Sequence, residues 1–176
     1  MSKFRSALLI EAKRRFEEEK KQQGLLAVVS PSPTDLIEVI CSDLHFSSAV
    51  IIELGCGDGR WLKQLSSRRG VVHCVGIEVN KSRLERAQSL CDQQNNIDLI
   101  QGDFSLLHLS IFNVVIMYLS IEGNEFMRNK IERECASGTL VISIGFRIRD
   151  WNALKEYHGD SDICLKAYKY VLHRES

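Results

Sequence analysis

The apolar run AVIIEL (49 to 54) passes without a break into a segment with glycines at 55, 57 and 59, and from there into RWLKQL, which has helical spacing. Glycine takes up φ > 0 and lets a ligand approach the backbone closely, and the start of the following helix presents unpaired N–H groups. A strand, a glycine turn and a helix in this order build a nucleotide pocket at the carboxyl end of a parallel sheet. The chain is therefore expected to be organised in βαβ units.

The rest of the sequence fits that expectation. Short apolar runs at 49 to 54, 72 to 78, 97 to 102, 113 to 119 and 139 to 146 alternate with helical stretches near 60 to 68, 81 to 94 and 122 to 134, the pattern of a parallel sheet with helices on both faces. The tail KAYKYVLH (166 to 173) alternates like a half-buried strand and is expected to return antiparallel at the sheet edge. Upstream, both prolines of the chain, Pro31 and Pro33, mark an extended or turning stretch. Thr34 or Ser32 is then placed to cap a helix carrying Leu36, Ile37, Val39, Ile40 and Leu44. Residues 3 to 22 read as a charged helix with Phe4, Leu8 and Phe16 on one side and Gly24 as its stop. The expected organisation is a charged segment over 1 to 24 and one α/β domain over 25 to 176.

Charge and cysteine usage narrow the function classes. The 23 basic and 23 acidic side chains cancel, so composition gives no signal for nucleic acid. Cysteines at 41, 56, 74, 91, 135 and 164 form no C-x-x-C pair or Cys/His cluster; buried reduced thiols are expected and a metal site is not. No apolar run reaches the ~18 residues of a membrane span. The amphipathic stretch KFRSALLIEAKRRF is basic like a mitochondrial presequence, but Glu11 and the run Glu17 to Glu19 are wrong for one, so cytoplasm is the first expectation and mitochondrion the second.

The glycine spacing discriminates between cofactors. A dinucleotide fingerprint needs a small residue at the sixth place of G-x-G-x-x-G, where this chain has Arg60. That disfavours a nicotinamide-dependent oxidoreductase. The sequence instead reads E-x-G-x-G-x-G from Glu53 to Gly59, with Cys56 between the first two glycines. About twenty residues on, Glu78 ends the run VHCVGIE, where a carboxylate at a strand tip can accept bonds from both ribose hydroxyls of an adenosine. Asp103 follows the third apolar run in IDLIQGDF, with Phe104 next. Asp58 and Arg60 read as an ordinary surface pair at least as readily as they do as a cofactor contact.

Glu53 to Gly59 resembles motif I of the class I S-adenosylmethionine-dependent methyltransferases, which implies a Rossmann-like fold. The resemblance places Glu53 near the methionine ammonium group of the cofactor, Gly55, Cys56, Gly57 and Gly59 along it, Asp103 near the adenine amino group and Phe104 against the ring. Taken in order, P-x-P-x-D (Pro31, Pro33, Asp35), LGCGDGR, GIE, QGDF, MYLS and ISIGFRIRDW look like the protein-lysine methyltransferase group that includes the enzymes modifying the c subunit of ATP synthase. That resemblance spans roughly residues 28 to 175. Two features differ: a charged helix stands where members acting on membrane proteins carry a hydrophobic anchoring stretch, and Cys56 replaces a small polar residue.

Tyr118, in NVVIMYLS, is expected at the carboxyl end of the fourth strand, where its hydroxyl can orient an amine and its ring can hold a cation. It is the catalytic candidate, with Ser120 and Trp151 behind it. MYLS lacks the N-P-P-Y or D-P-P-Y sequence of many amino-group methyltransferases of nucleobases and glutamine. The expected function is methyl transfer from S-adenosylmethionine to a lysine amine of a protein substrate. The alternatives are a small-molecule methyltransferase and a non-catalytic S-adenosylmethionine-binding partner protein.

Overall fold

The computed structural model describes residues 31–159 and 165–173 of the 176-residue chain. The helix expected over 3 to 22, its Gly24 stop, the boundary after residue 24 and Cys164 lie outside the described residues. Within them the chain runs α1 (Thr34–Asp43), β1 (Ala49–Leu54), α2 (Arg60–Ser66), β2 (Val71–Glu78), α3 (Lys81–Cys91), β3 (Ile97–Gln101), a 3-10 turn (Phe104–Leu106), β4 (Val114–Met117), α4 (Ile121–Glu134), β5 (Leu140–Ile144), β6 (Lys155–His158) and β7 (Lys166–Val171).

All seven strands form one sheet in the order β3-β2-β1-β4-β5-β7-β6. The first five are parallel, and β7 runs antiparallel to both β5 and β6. The parallel strands are nearly continuous apolar runs because both faces are covered. Ile51, Val114, Ile116, Ile142 and Ile144 pack on the side of α1, α2 and α3 with Leu36, Trp61, Leu62 and Leu84. Ile52, Leu54, Val115, Met117 and Val141 pack on the opposite side with Phe104, Leu109, Met127 and Ile131. Strand order reverses between β1 and β4, and their carboxyl ends open the crevice where ligands of open α/β sheets bind.

Two sequence expectations need correcting here. The tail strand β7 is antiparallel, but it lies one place inside the edge; β6 is the edge strand. KEYH has a single buried residue, Tyr157, among exposed or half-buried neighbours, so it gives almost no hydrophobic pattern. At α1, neither Thr34 nor Ser32 caps the helix: Pro33 occupies the N-cap with φ −59°, and no side chain caps it. The helix buries Leu36, Ile37 and Ile40, while Val39 is exposed. Each fully buried side chain of this kind contributes about 1.5–3 kcal/mol of transfer free energy.

Asp43 at the end of α1 ties this helix to the antiparallel pair. Its carboxylate accepts bonds from Tyr157 Oη at 2.6 Å, from Lys169 Nζ at 3.2 Å and from Lys155 Nζ. The Lys155 and Tyr157 bonds hold its pKa far below the usual carboxylate range. On the same side of the sheet, Gly76 in β2 pairs with Glu53 in β1 and leaves room for the side chains that seat on it. A Cβ there would collide with Leu62 Cδ1 and lie 2.8 Å from Cys56 Sγ and 2.9 Å from Leu99 Cδ2. Gly76→Ala is therefore expected to lower unfolding free energy by about 1–3 kcal/mol, the usual cost of overpacking, as read from the denaturant midpoint.

Candidate functional site

The carboxyl ends of β1, β2, β3 and β4 bring most of the sequence-selected residues to one end of the sheet. After Leu54, Gly55, Gly57 and Gly59 all have positive φ, at 75°, 55° and 80°. Gly59 is the left-handed N-cap of α2. A Cβ at Gly59 would lie 3.0 Å from Ala87 Cβ and 3.2 Å from Cys91 Sγ, so its small size seats the turn on α3. A Cβ at Gly57 would meet nothing within 4 Å, so this side of the turn faces open space. The turn is anchored to the second strand: Gly55 N–H and Cys56 N–H both donate to the carbonyl of Ile77, at 2.9 and 3.0 Å.

Glu78 completes the anchor. Its Oε2 accepts from Gly57 N–H at 3.0 Å and its Oε1 from Asn80 N–H at 2.9 Å, while Asn80 Oδ1 caps α3 by accepting from Arg83 N–H at 3.1 Å. Each carboxylate oxygen has room for about two hydrogen bonds, which leaves one direction on each oxygen of Glu78 for a further donor.

Glu53 is buried beside them, and its Oε2 has no hydrogen-bond partner among the described residues. Burial pushes its pKa well above the ordinary carboxyl value; the charges of Asp58 and Glu78 push the same way and Arg60 opposes them. Cys56 is buried against Gly76, and its thiol is also pushed far up, chiefly by burial and then by Glu53. Cys56 thus packs the underside of the turn as a neutral thiol. The five described cysteines are all buried.

Asp58 and Arg60 are more than a surface pair. Arg60 Nε and Nη2 bind the Asp58 carboxylate at 2.9 and 2.6 Å, which holds the acid below its usual range, and Nη1 donates to the carbonyl of Ser32 at 2.9 Å. Trp61 Nε1 donates to Ser32 Oγ at 3.0 Å. The proline segment is thereby stitched to the glycine turn through Ser32, a residue that sequence reading offered only as a helix cap.

Asp103 Oδ1 accepts from Ser105 N–H at 2.8 Å and caps the 3-10 turn. Phe104 is buried in the core on the α4 side. Tyr118 follows β4, is half-buried, and packs against the core on the α1 side. Its ring lies over Gly145, where a Cβ would sit 2.9 Å from Tyr118 Cε2. Ser120 is spent on capping α4, its Oγ accepting from Gly123 N–H at 3.0 Å. Trp151 donates to Glu132 Oε1 at 2.8 Å and packs edge-on against Tyr170, so it serves packing.

Two buried polar residues beside the turn after β5 escaped sequence reading. Asn124 and Ser143 are buried and hydrogen-bonded to each other at 3.0 Å, yet Asn124 Oδ1 has no partner. An orphaned buried group of this kind costs about 1–3 kcal/mol. A polar residue inside α4 was the only signal in the sequence.

Residues 53–155, more than half of the chain, match the ANTKMT methyltransferase domain family. The chain belongs to this family. This methyltransferase is 33% identical over 127 residues to a protein-lysine N-methyltransferase of Saccharolobus islandicus, covering 70% of this chain and 79% of that protein. It is 27% identical over 113 residues to a carboxy-S-adenosyl-L-methionine synthase of Yersinia pseudotuberculosis, covering 57% of this chain and 46% of the relative. An RNA methyltransferase of Salinibacter ruber, solved in complex with S-adenosyl-L-homocysteine, shares the fold with a TM-score of 0.74 and 22% identity over 84% of this chain and 96% of its own. The methyltransferase is S-adenosylmethionine-dependent and has the expected Rossmann-like α/β fold. No helix among its described residues is long and apolar enough to cross a membrane.

Glu53 sets a pH dependence of known sign. An acid whose folded pKa is raised holds its proton when the unfolded chain has already lost it, so its contribution to stability is full below the ordinary carboxyl pKa and is lost as pH rises toward the folded value. Glu53→Gln removes the titration. Denaturant midpoints of the ligand-free protein from pH 5 to pH 8 should fall with pH less in the variant than in the wild type; parallel profiles would show Glu53 to be ionised in its folded environment.

Proposed function

We propose that this methyltransferase transfers the methyl group to a lysine amine of a protein, and that the residues gathered at the tips of β1 to β4 hold the cofactor and aim the acceptor. The observation that carries the substrate class is the 33% identity to a protein-lysine N-methyltransferase across 70% of this chain. The site fits S-adenosylmethionine on its own terms. The open side of Gly57 leaves space above the turn, the unpartnered Glu53 Oε2 is an acceptor in need of a donor, and Glu78 keeps one free direction per oxygen.

In this reading Glu78 accepts the two ribose hydroxyls and Glu53 accepts the ammonium group of the methionine moiety. Gly55, Cys56, Gly57 and Gly59 shape the turn along which the cofactor lies, and Cys56 acts through packing and its backbone. Asp103 has its second carboxylate oxygen available for the adenine amino group, with Phe104 as the buried support beneath the ring. Bound S-adenosylmethionine supplies an electrophilic methyl carbon on a sulfonium. What remains for the chain is alignment and exclusion of water.

An ammonium has no lone pair, so the lysine must lose a proton before it attacks. A half-buried approach past Tyr118 disfavours the charged form and lowers the lysine pKa toward the working pH. Tyr118 Oη orients the neutral amine, and its ring face tolerates the cation that the methylated product becomes.

The test is incubation with methyl-labelled S-adenosylmethionine and a cell extract, followed by separation of labelled proteins from labelled small molecules. A labelled protein whose acid hydrolysate yields methyl-lysine is expected; label confined to small molecules would overturn the substrate class. Glu78→Gln, which keeps one acceptor for the turn, should weaken cofactor binding at least about tenfold by calorimetry, the loss of roughly one charge-assisted hydrogen bond. Tyr118→Phe should slow transfer at near-normal cofactor affinity, and an unchanged rate would remove the hydroxyl from the mechanism.

A further inference from the structure

The turn that follows β5 is held from three sides. Ser143 Oγ donates to the carbonyl of Phe146 at 2.7 Å, and Asn124 Nδ2 donates both to Ser143 Oγ at 3.0 Å and to the same Phe146 carbonyl at 3.1 Å. Gly145 N–H donates to the carbonyl of Lys166 in β7 at 2.8 Å. Helix α4, strand β5 and strand β7 therefore all grip the two consecutive residues Gly145 and Phe146. The open face of Gly145, which has φ 83°, lies against the Tyr118 ring, and a Cβ at this position would come within 2.9 Å of Cε2. Phe146 then stands 38% exposed beside that contact.

Stability alone does not account for the amide. Asn124 is 1% exposed in the first turn of α4, and its Oδ1 is left without a partner while both of its described bonds go to the turn. An apolar side chain would fill the same space with no orphaned oxygen. What the amide adds is a fixed direction for the Phe146 carbonyl, and through it a fixed position for Gly145 under the Tyr118 ring. Because Ser120, two residues after Tyr118, is the N-cap of the helix that carries Asn124, both sides of the contact are referred to one rigid element.

We infer that Asn124 and Ser143 are positioning residues for methyl transfer, pinning the Gly145–Phe146 turn against Tyr118 as the fixed wall of the methyl-acceptor site. The inference rests on the reading of Tyr118 as the acceptor-side residue. Neither pinning side chain needs to touch cofactor or acceptor; they act by limiting how far the Tyr118 ring can move. Small misplacements of this kind are costly, since displacements of about 1 Å can slow a reaction roughly a hundredfold.

The experiment measures initial rates of label transfer from saturating methyl-labelled S-adenosylmethionine, using as acceptor whichever extract fraction the wild-type protein labels. Ser143→Ala and Asn124→Leu are each expected to lower the rate about tenfold or more, with cofactor affinity within about twofold of wild type by calorimetry. Ser143→Thr keeps the hydroxyl and should restore most of the rate. In a Tyr118→Ala background, Ser143→Ala should cost little more, because the two act as a unit. A wild-type rate in Ser143→Ala while Tyr118→Ala is slow would overturn the pin and leave the Tyr118 reading standing. An unchanged rate in Tyr118→Ala would overturn that reading, and the pin with it. Full additivity of the two substitutions, or a rate loss matched by lost cofactor affinity, would show a structural role only.

Discussion

The carboxylate of Glu78 links the parts of the molecule that have to agree with one another. It stands at the tip of β2 and takes one N–H from the glycine turn after β1 and another from the start of α3. Backbone donors bound to a carboxylate are stronger than neutral pairs. The positive-φ turn, which has no side chain of its own to stabilise it at Gly55, Gly57 or Gly59, is in this way fixed by its neighbour strand. One side chain thus fixes the turn after β1 and the start of α3 together.

Around that anchor the charge is unbalanced. Asp58 and Glu78 lie close enough for their charges to act on Glu53, and Arg60, already bidentate to Asp58, is the one cation that opposes them there among the described residues. The effect falls on Glu53, whose carboxyl pKa is pushed well above the ordinary value by burial and then by the charges of Asp58 and Glu78. A site of this kind suits a ligand that brings a positive charge of its own, and S-adenosylmethionine brings two. A phosphate-bearing dinucleotide would meet three acids instead, an electrostatic argument that agrees with the one from Arg60 in the glycine fingerprint.

Much of this was readable from the chain. The parallel strands are long apolar runs with turn residues between them, and β1 was placed at its observed limits from AVIIEL alone. The strand tips follow from the strands, so Glu53, Glu78, Asp103 and Tyr118 were legible as one constellation. Elements whose reason is tertiary were not legible. β6 exists because it pairs with β7 and packs under α1, and its four residues carry no pattern that shows this. Ser32 was read as a cap from its place before a helix, whereas its hydroxyl and carbonyl are claimed by Trp61 and Arg60 from 29 and 28 residues away. The Asn124 and Ser143 pair likewise gains meaning only when α4 is laid on β5.

The bonds that meet at Asp43 span more than a hundred residues of sequence, joining the first described helix to the last two strands. Parallel α/β proteins are commonly loosest at their sheet edges, where a terminal strand can peel away without disturbing the centre. Here the outermost strand β6 cannot leave alone, since Lys155 and Tyr157 are held by a helix that is itself packed on the central core. Opening at the edge and opening at the start of the domain thus become a single event. The two ends of the fold should exchange their amide hydrogens as one cooperative unit, and the crevice between them gains a frame that does not fray.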